Sequence, residues 1–183
     1  MRSKLNIPAR ALAVAGLLLA GLCAGCQTAH IHNPVISQYS GSDADSQLNF
    51  WHELAKRHLT SNDDAFHAIL LYADGHDDAG TYEKRVETLK ARGLLYKQFD
   101  HTADDAIRRG DLAVIICNEL DIKGGWMMHV FGPVPRYAVR ELVYDDIYPP
   151  SSPQQTFSGT EFVGVIGKMD DYQQPASGAV YTK

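Results

Sequence analysis

Residues able to do acid–base or metal chemistry are plentiful in this sequence, but few stand at the spacings that such chemistry requires. Eight histidines and 22 acidic residues are spread over 183 positions. His52-Glu53 begins like a two-histidine zinc motif, but Lys56 stands where the second histidine is needed. The acids of the loop 74–80 miss the ligand positions of a calcium-binding loop. The sequence therefore predicts no cofactor, no metal site and no catalytic motif.

A small hydrolase remains an open alternative to a binding protein. Its site would lie where His101, Asp104 and Asp105 come near His129. No nucleophile elbow, phosphate-binding loop or spaced pair of acids accompanies these residues. An enzyme is therefore the less favoured of the two classes.

Five residues are candidates for ligand binding. Two adjacent arginines precede the most apolar stretch of the chain, and guanidinium groups at a helix start can clamp a carboxylate or phosphate. Two tyrosines on one side of a later helix could line a sugar-binding groove, because aromatic rings stack on sugar faces. The alternatives are local pairing of the arginines with nearby acids, and tyrosines at the edge of a core. The candidates are Arg108, Arg109, Asp111, Tyr137 and Tyr144.

The elements that would position these residues are all helical. Leu112 to Cys117 carry no polar side chain, which predicts a central helix, buried between others, over the stretch 111–122. Apolar residues recur at helical spacing elsewhere, and no period-two pattern indicates a strand. The sequence predicts an all-α fold, a single small domain of five to seven short helices preceded by a signal peptide and a flexible tether. The other helices are expected at 48–59, 61–73, 82–92, 126–131, 135–147 and 158–172.

The segment from Met1 to Cys26 predicts export and a lipid anchor. Three basic residues precede the apolar run Ala11 to Leu22, which has the length of a signal peptide. The run ends in Leu22-Cys23-Ala24-Gly25-Cys26, which resembles the lipobox of bacterial lipoproteins, although Cys23 stands where that family usually has an aliphatic residue. The resemblance implies cleavage before Cys26 and acylation of Cys26. The alternatives are an ordinary secretory signal and an uncleaved anchor.

A second resemblance covers residues 60–125. Ile107-Arg108-Arg109-Gly110-Asp111 resembles the Ile-Thr-Arg-Ala-Glu motif at a helix start of the S-layer homology module of bacterial envelope proteins. The stretch 59–63 is similar to a degenerate second copy without the arginine. The resemblance implies a helical fold and binding of anionic cell-wall polysaccharide, with Arg109 as the contact. That family usually works as tandem modules, and a single module is recognised in this sequence.

Charge argues against nucleic acid as a partner. The formal charge of the chain is −5, from 17 basic and 22 acidic side chains. Without Arg2, Lys4 and Arg10, which lie in the expected signal peptide, 14 basic side chains remain against the same 22 acids, a charge of −8. Such a domain lacks the excess of lysine and arginine that phosphate backbones require.

These patterns predict a lipid-anchored protein of the bacterial cell envelope. Gln27 follows Cys26 in place of the aspartate that usually retains lipoproteins in the inner membrane, so the outer membrane is the favoured destination. The protein would bind cell-wall polysaccharide or scaffold the envelope. Alternatively it is an accessory subunit that binds another envelope protein through the stretch 126–148, which an exposed apolar patch there would favour. The expected ranges are a signal peptide, 1–25; the lipidated cysteine and flexible tether, 26–47; the helical domain, 48–172; and a flexible tail, 173–183.

Overall fold

A computed structural model describes residues 28–174, and within that range the protein is all-α, as the sequence predicts. The described residues contain seven α-helices and no β-strand. A 3₁₀ turn, Val35–Ser37, precedes them. The helices are α1 Ala44–Ala55, α2 Asn62–Asp74, α3 Tyr82–Ala91, α4 Arg109–Glu119, α5 Trp126–Phe131, α6 Pro135–Tyr144 and α7 Gly159–Gln173.

Four helices begin at side chains that satisfy their first backbone N–H groups. An oxygen of the residue before α1, α2, α3 and α7 accepts a hydrogen bond from the N–H three positions on, which removes an unpaired donor of the first turn. At α7 the Glu161 carboxylate also accepts from the Ser158 N–H, which completes a capping box. The capping residues are Asp43, Ser61, Thr81 and Ser158.

Six of the helices pack as three pairs. Helix α2 packs against α3, α4 against α6, and α7 against α1, so the last of the described helices packs against the first. The α1–α7 contact is very close at Gly159, where an added Cβ would lie 1.7 Å from the carbonyl oxygen of Leu54. The Gly159 N–H also donates to the Arg57 carbonyl at 2.8 Å. Glycine is therefore required at this position for α1 and α7 to meet.

The segments that lead into α2, α4 and α7 meet one another. Isolated antiparallel bridges join Ser61 to Ala106 and Arg108 to Thr156. The Thr60 N–H donates to the Phe157 carbonyl at 3.0 Å, which links the third pair of segments. Each of the three helices carries an acid at its third position, Asp64, Asp111 or Glu161. The structure thus places three helix starts side by side, and the sequence alone did not relate the start of α7 to the other two.

Helix α4 is the central helix that the apolar stretch predicts, although it begins and ends earlier than expected. Its residues Arg109 to Cys117 are all buried. Val35 and Ile36, which lie far earlier in the chain, are buried in the same hydrophobic core.

The described part of the expected tether is packed against the domain. The Ile31 N–H donates to the Asp104 carbonyl at 2.7 Å, and the Ala106 N–H donates to the Ala29 carbonyl at 2.9 Å. The Ile36 N–H donates to an Asp64 carboxylate oxygen at 2.9 Å. In residues 28–47 this packing differs from the flexible tether expected over 26–47, because these backbone hydrogen bonds and the burial of Val35 and Ile36 hold the segment against the domain. We call residues 28–43 the N-terminal strap.

No helix within residues 28–174 has the length and apolar character needed to cross a bilayer. Cys26 and the signal peptide expected over 1–25 lie outside the described residues, as does most of the tail expected over 173–183.

Candidate functional site

The arginine that the S-layer resemblance singles out points into the protein. Arg109 is only 7% exposed. Its guanidinium donates to the Thr156 carbonyl at 3.1 Å, to the Ser151 hydroxyl at 2.7 Å and to the Glu161 carboxylate at 2.7 Å. It also lies over the ring of Phe157, 4.7 Å from the centroid. In this arrangement Arg109 connects the start of α4 to the start of α7, and each of its three side-chain nitrogens donates to a protein group.

The neighbouring candidates Arg108 and Asp111 lie on another side of the same helix start. Arg108 is half-buried and donates to the Thr28 hydroxyl at 3.1 Å. One Asp111 carboxylate oxygen accepts from the Tyr96 hydroxyl at 2.8 Å. The other has no hydrogen-bond partner among the described residues, with His101 Nε2 3.7 Å away. Burial raises the pKa of Asp111 above its ordinary value, against the lowering effect of the Tyr96 hydrogen bond.

The residues suggested for a hydrolase do not form one constellation. His101 and Asp104 line one cavity, beside Tyr82 and Phe99. His129 is exposed on α5 and lines a different cavity, with Cys117.

Asp105 holds together parts of the fold and does not face a cavity with the other three residues. It is buried, and its carboxylate accepts from the Thr102 N–H at 2.9 Å and lies 3.1 Å from His30 of the N-terminal strap. Nothing in residues 28–174 brings three or more His, Cys, Asp or Glu side chains into a metal-binding group.

A buried ionic cluster joins α2, α3 and the loop between them. His67 Nδ1 lies 2.6 Å from an Asp77 carboxylate oxygen, and both side chains are almost fully buried. The Arg85 side chain bonds the same Asp77 oxygen and also Asp63, at 2.9 Å. Burial by itself would raise the pKa of Asp77, but hydrogen bonds from His67, the Ala79 N–H and Arg85 outweigh it and hold the pKa at about 2.

The cluster fastens the loop 75–80 to the domain. Sequence spacing alone would favour Asp63 as the partner of His67, because these residues lie one helical turn apart. The true partner, Asp77, lies beyond a turn at Gly75, and sequence spacing carries no signal for it.

Helices α5 and α6 carry a large exposed apolar surface, which we call the α5–α6 surface. Trp126 is 75% exposed, Phe131 61% and Tyr144 83%. In α5 one residue of six, Met128, is buried. Monomeric proteins rarely leave a large contiguous apolar patch in water, so a patch of this kind indicates an interaction site. Its members are Trp126, Met127, Val130, Phe131, Val134 and Tyr144.

A cavity of about 670 Å³ opens on this surface between α5 and α6. Tyr137 and Tyr144, the two candidate tyrosines, both line it, together with Trp126, Arg140 and Glu141. The structure therefore brings the two tyrosines into one groove and separates them from Arg109. A third tyrosine in this part of the chain, Tyr148, is buried, and its hydroxyl donates to the Arg109 carbonyl at 3.3 Å.

Most of the α5–α6 surface lies in a basic stretch of the chain, whereas Tyr144 lies between Glu141 and Asp145. Between positions 122 and 140 the chain has Lys123, Arg136 and Arg140 and no acidic residue. Lys123 is paired with Asp121. Arg136 and Arg140 are exposed, and neither forms an ion pair with another described residue. Sequence reasoning pointed to Trp126–Tyr148 as a possible partner surface but did not note this charge.

The one cysteine in the described part of the chain is chemically inert. Cys117 is buried in α4, and burial raises the pKa of its thiol to about 12.

Comparisons with protein-family models, with curated proteins and with solved structures give no match to this chain.

Proposed function

We propose that this protein is a lipid-anchored binding protein of the bacterial cell envelope, and that its α5–α6 surface docks onto another component of the envelope. The observation that carries the docking role is the set of exposed apolar side chains on α5 and α6, with Trp126 and Tyr144 at the two sides of a groove. Exposure of such side chains to water is unfavourable, so covering this surface with a partner lowers the free energy of the system.

The lipobox resemblance supports the anchor. Acylation of Cys26 with several chains would hold the protein firmly, because each buried methylene contributes about 0.8 kcal/mol. Thr28, which follows closely in the sequence, is bonded to Arg108 in the folded domain. Since two residues span at most about 7 Å, the acylated cysteine would hold the domain close to the bilayer.

Acylation is tested by metabolic labelling with radioactive palmitate in a bacterial host that processes lipoproteins. We expect label in the wild type, no label after Cys26→Ala, and retained label after Cys23→Ala. The wild type should fractionate with membranes, and with the outer membrane where the host has two. Label that persists in Cys26→Ala, or a wild type without label, contradicts the proposed anchor.

A second candidate function, binding of anionic cell-wall polysaccharide, is supported by the repetition of similar helix starts at α2, α4 and α7. Tandem modules are the usual form of the family that the motif resembles. Arg109 is a poor choice for testing this function, because its guanidinium holds the fold together. The half-buried Arg108 is the better one.

The test measures co-sedimentation of the protein with purified sacculi that retain their attached polymers. Wild type is compared with Arg108→Ala and with Lys84→Ala, an exposed charge on α3. If the polymer binds at the helix starts, the pelleted fraction falls for Arg108→Ala and stays at the wild-type level for Lys84→Ala. Equal pelleting of all three proteins excludes Arg108 as the contact.

A further inference from the structure

We infer that the component covered by the α5–α6 surface is the phospholipid bilayer itself. Trp126, Val130 and Phe131 enter the interfacial region of the bilayer, and Arg136 and Arg140 contact lipid phosphates. This inference rests on the envelope location proposed above and names the partner of the surface. An accessory protein, or a second copy of this chain, is the occupant that the test must exclude.

The first argument is the composition of α5. Helix α5 has a buried side, which consists of Met128, and an outward side that carries Trp126, Val130 and Phe131. Tryptophan and tyrosine concentrate at membrane interfaces, where an apolar ring body meets lipid and its polar atom meets water. A short helix that presents such residues outward has the character of an interfacial element that lies in the plane of a membrane.

The second argument is charge. The domain is acidic, yet Arg136 and Arg140 are exposed on α6 within a stretch without acids, and Arg140 lines the groove beside Trp126. Basic residues near an anionic bilayer each contribute about a fivefold gain in binding, and arginine bonds phosphate with two N–H groups. Glu141 faces the groove and the backbone of Gly125, on the side of α6 turned toward α5.

The third argument is the position of the anchor. Arg108 holds Thr28 at the start of α4. In the first turn of α4, Gly110 packs against Pro135, the first residue of α6, so closely that an added Cβ would lie 2.8 Å from it. The end of α5, at Phe131, shortly precedes Pro135 in the chain. Thr28 and the end of the apolar surface therefore lie at the same end of α4. Because Cys26 precedes Thr28 by two residues, which span at most about 7 Å, a bilayer that holds an acylated Cys26 is within reach of Phe131.

The chain offers a direct test, because Trp51 and Trp126 are its only tryptophans. The full acylated chain is reconstituted in vesicles of phosphatidylethanolamine and phosphatidylglycerol, with and without bromine on the acyl chains. Bromine quenches tryptophan emission only at short range. Trp51→Phe leaves Trp126 as the single reporter, and Trp126→Phe leaves Trp51, which is half-buried on α1.

We expect brominated lipid to quench most of the Trp126 emission and to leave the Trp51 emission nearly unchanged. The same result can be read as the difference between wild type and Trp126→Phe, so it does not depend on the folding of Trp51→Phe. Arg136→Gln with Arg140→Gln should reduce the quenching in vesicles rich in phosphatidylglycerol. The matched control is Lys84→Gln with Lys97→Gln, two exposed lysines elsewhere on the domain.

Flotation of the same samples separates this inference from the proposed anchor. A protein that floats with vesicles but shows no quenching of Trp126 overturns the inference and leaves the anchor standing. Quenching of Trp126 in Cys26→Ala, which lacks the acylated residue, also supports the inference and leaves the anchor to the palmitate-labelling test. Emission of Trp126 that shifts to shorter wavelength with protein concentration, without vesicles and without bromine quenching, assigns the surface to a second copy and overturns the inference. Equal quenching of Trp51 and Trp126 also overturns it.

Discussion

At the scale of single residues, Arg109 connects the starts of two helices. Its guanidinium satisfies a carbonyl, a hydroxyl and a carboxylate and lies over an aromatic ring. Hydrogen bonds to charged groups contribute about 1.5–3 kcal/mol each, and truncation leaves the partners unpaired in a buried place. The sequence marked this arginine as important, but it could not show that the role is internal, because its partner Glu161 stands far along the chain, in the last helix.

We therefore predict that Arg109→Ala lowers the free energy of unfolding by about 2–4 kcal/mol. Arg108→Ala should lower it by less than about 1 kcal/mol, because that side chain is half-buried and forms one hydrogen bond. Urea denaturation followed by circular dichroism measures both. Similar losses in the two variants would contradict the internal role of Arg109.

Asp77 makes stability depend on acid pH. Its pKa is held at about 2, below the ordinary 3.8, by hydrogen bonds from His67, Ala79 and Arg85 that outweigh the effect of burial. A carboxyl group with a lowered pKa stabilises the fold fully above about pH 4, and this contribution disappears as the pH falls toward about 2. A shift of this size corresponds to about 2 kcal/mol at most.

The difference in unfolding free energy between wild type and Asp77→Asn should therefore be largest at neutral pH and should shrink as the pH falls from about 4 to about 2. Urea denaturation at a series of pH values measures it. The exposed Asp78 offers a control, because Asp78→Asn should leave the pH profile unchanged. A constant difference between Asp77→Asn and wild type across this range would refute the assignment.

At the scale of helices, the close approach of α7 to α1 depends on one missing side chain. A Cβ at Gly159 would overlap the Leu54 carbonyl at 1.7 Å, and backbone atoms cannot move aside cheaply. We predict that Gly159→Ala lowers the melting temperature strongly, by a loss of about 3 kcal/mol or more. Gly164→Ala on the same helix should leave stability unchanged or raise it slightly, because nothing lies within 4 Å of its Cβ and alanine favours a helix. Calorimetry measures the melting temperatures of the two variants, and similar values would contradict the close contact at Gly159.

The helices themselves could be read from the sequence, whereas their assembly could not. The apolar stretch 112–117, the capping residues Ser61, Thr81 and Ser158, and the periodic apolar positions identify the helices to within a few residues. The sequence Ser158-Gly159-Thr160-Glu161 is typical of a capping box, and it does not resemble the start of α4, because Ser158 and Gly159 stand in place of both arginines. What relates the helix starts is the backbone contact between the segments that lead into them, and the side chains give little indication of that contact.

The N-terminal strap shows a second limit. The composition of residues 26–47 indicates a flexible linker. Composition alone does not show that two side chains of this segment, Val35 and Ile36, are buried in the core of the domain. Val35 and Ile36 are only 1% and 5% exposed, because the core of α2 and its neighbours covers them. A short apolar pair inside a polar stretch gives no period from which packing can be inferred.

At the scale of the whole molecule, the N-terminal strap should contribute to global stability. We predict that Val35→Ala lowers the free energy of unfolding by about 2 kcal/mol, since a buried side chain of this size leaves a cavity. Val130→Ala removes the same atoms from the exposed side of α5 and should cost less than about 0.5 kcal/mol. Global unfolding measured by urea denaturation tests both, and equal effects would show that the strap does not belong to the core.

The pairing of α7 with α1 would also set an order of events in the export that the proposed lipid anchor requires, in which the chain passes through a translocation channel from its N-terminus. Helix α1 emerges first and has to wait for α7, the last helix described, before its packing face can be covered. Contacts so distant in sequence form late, because the intervening loop has to close first. The domain therefore stays incomplete until nearly all of the chain has crossed, and the segments that crossed first keep an uncovered packing face until α7 arrives.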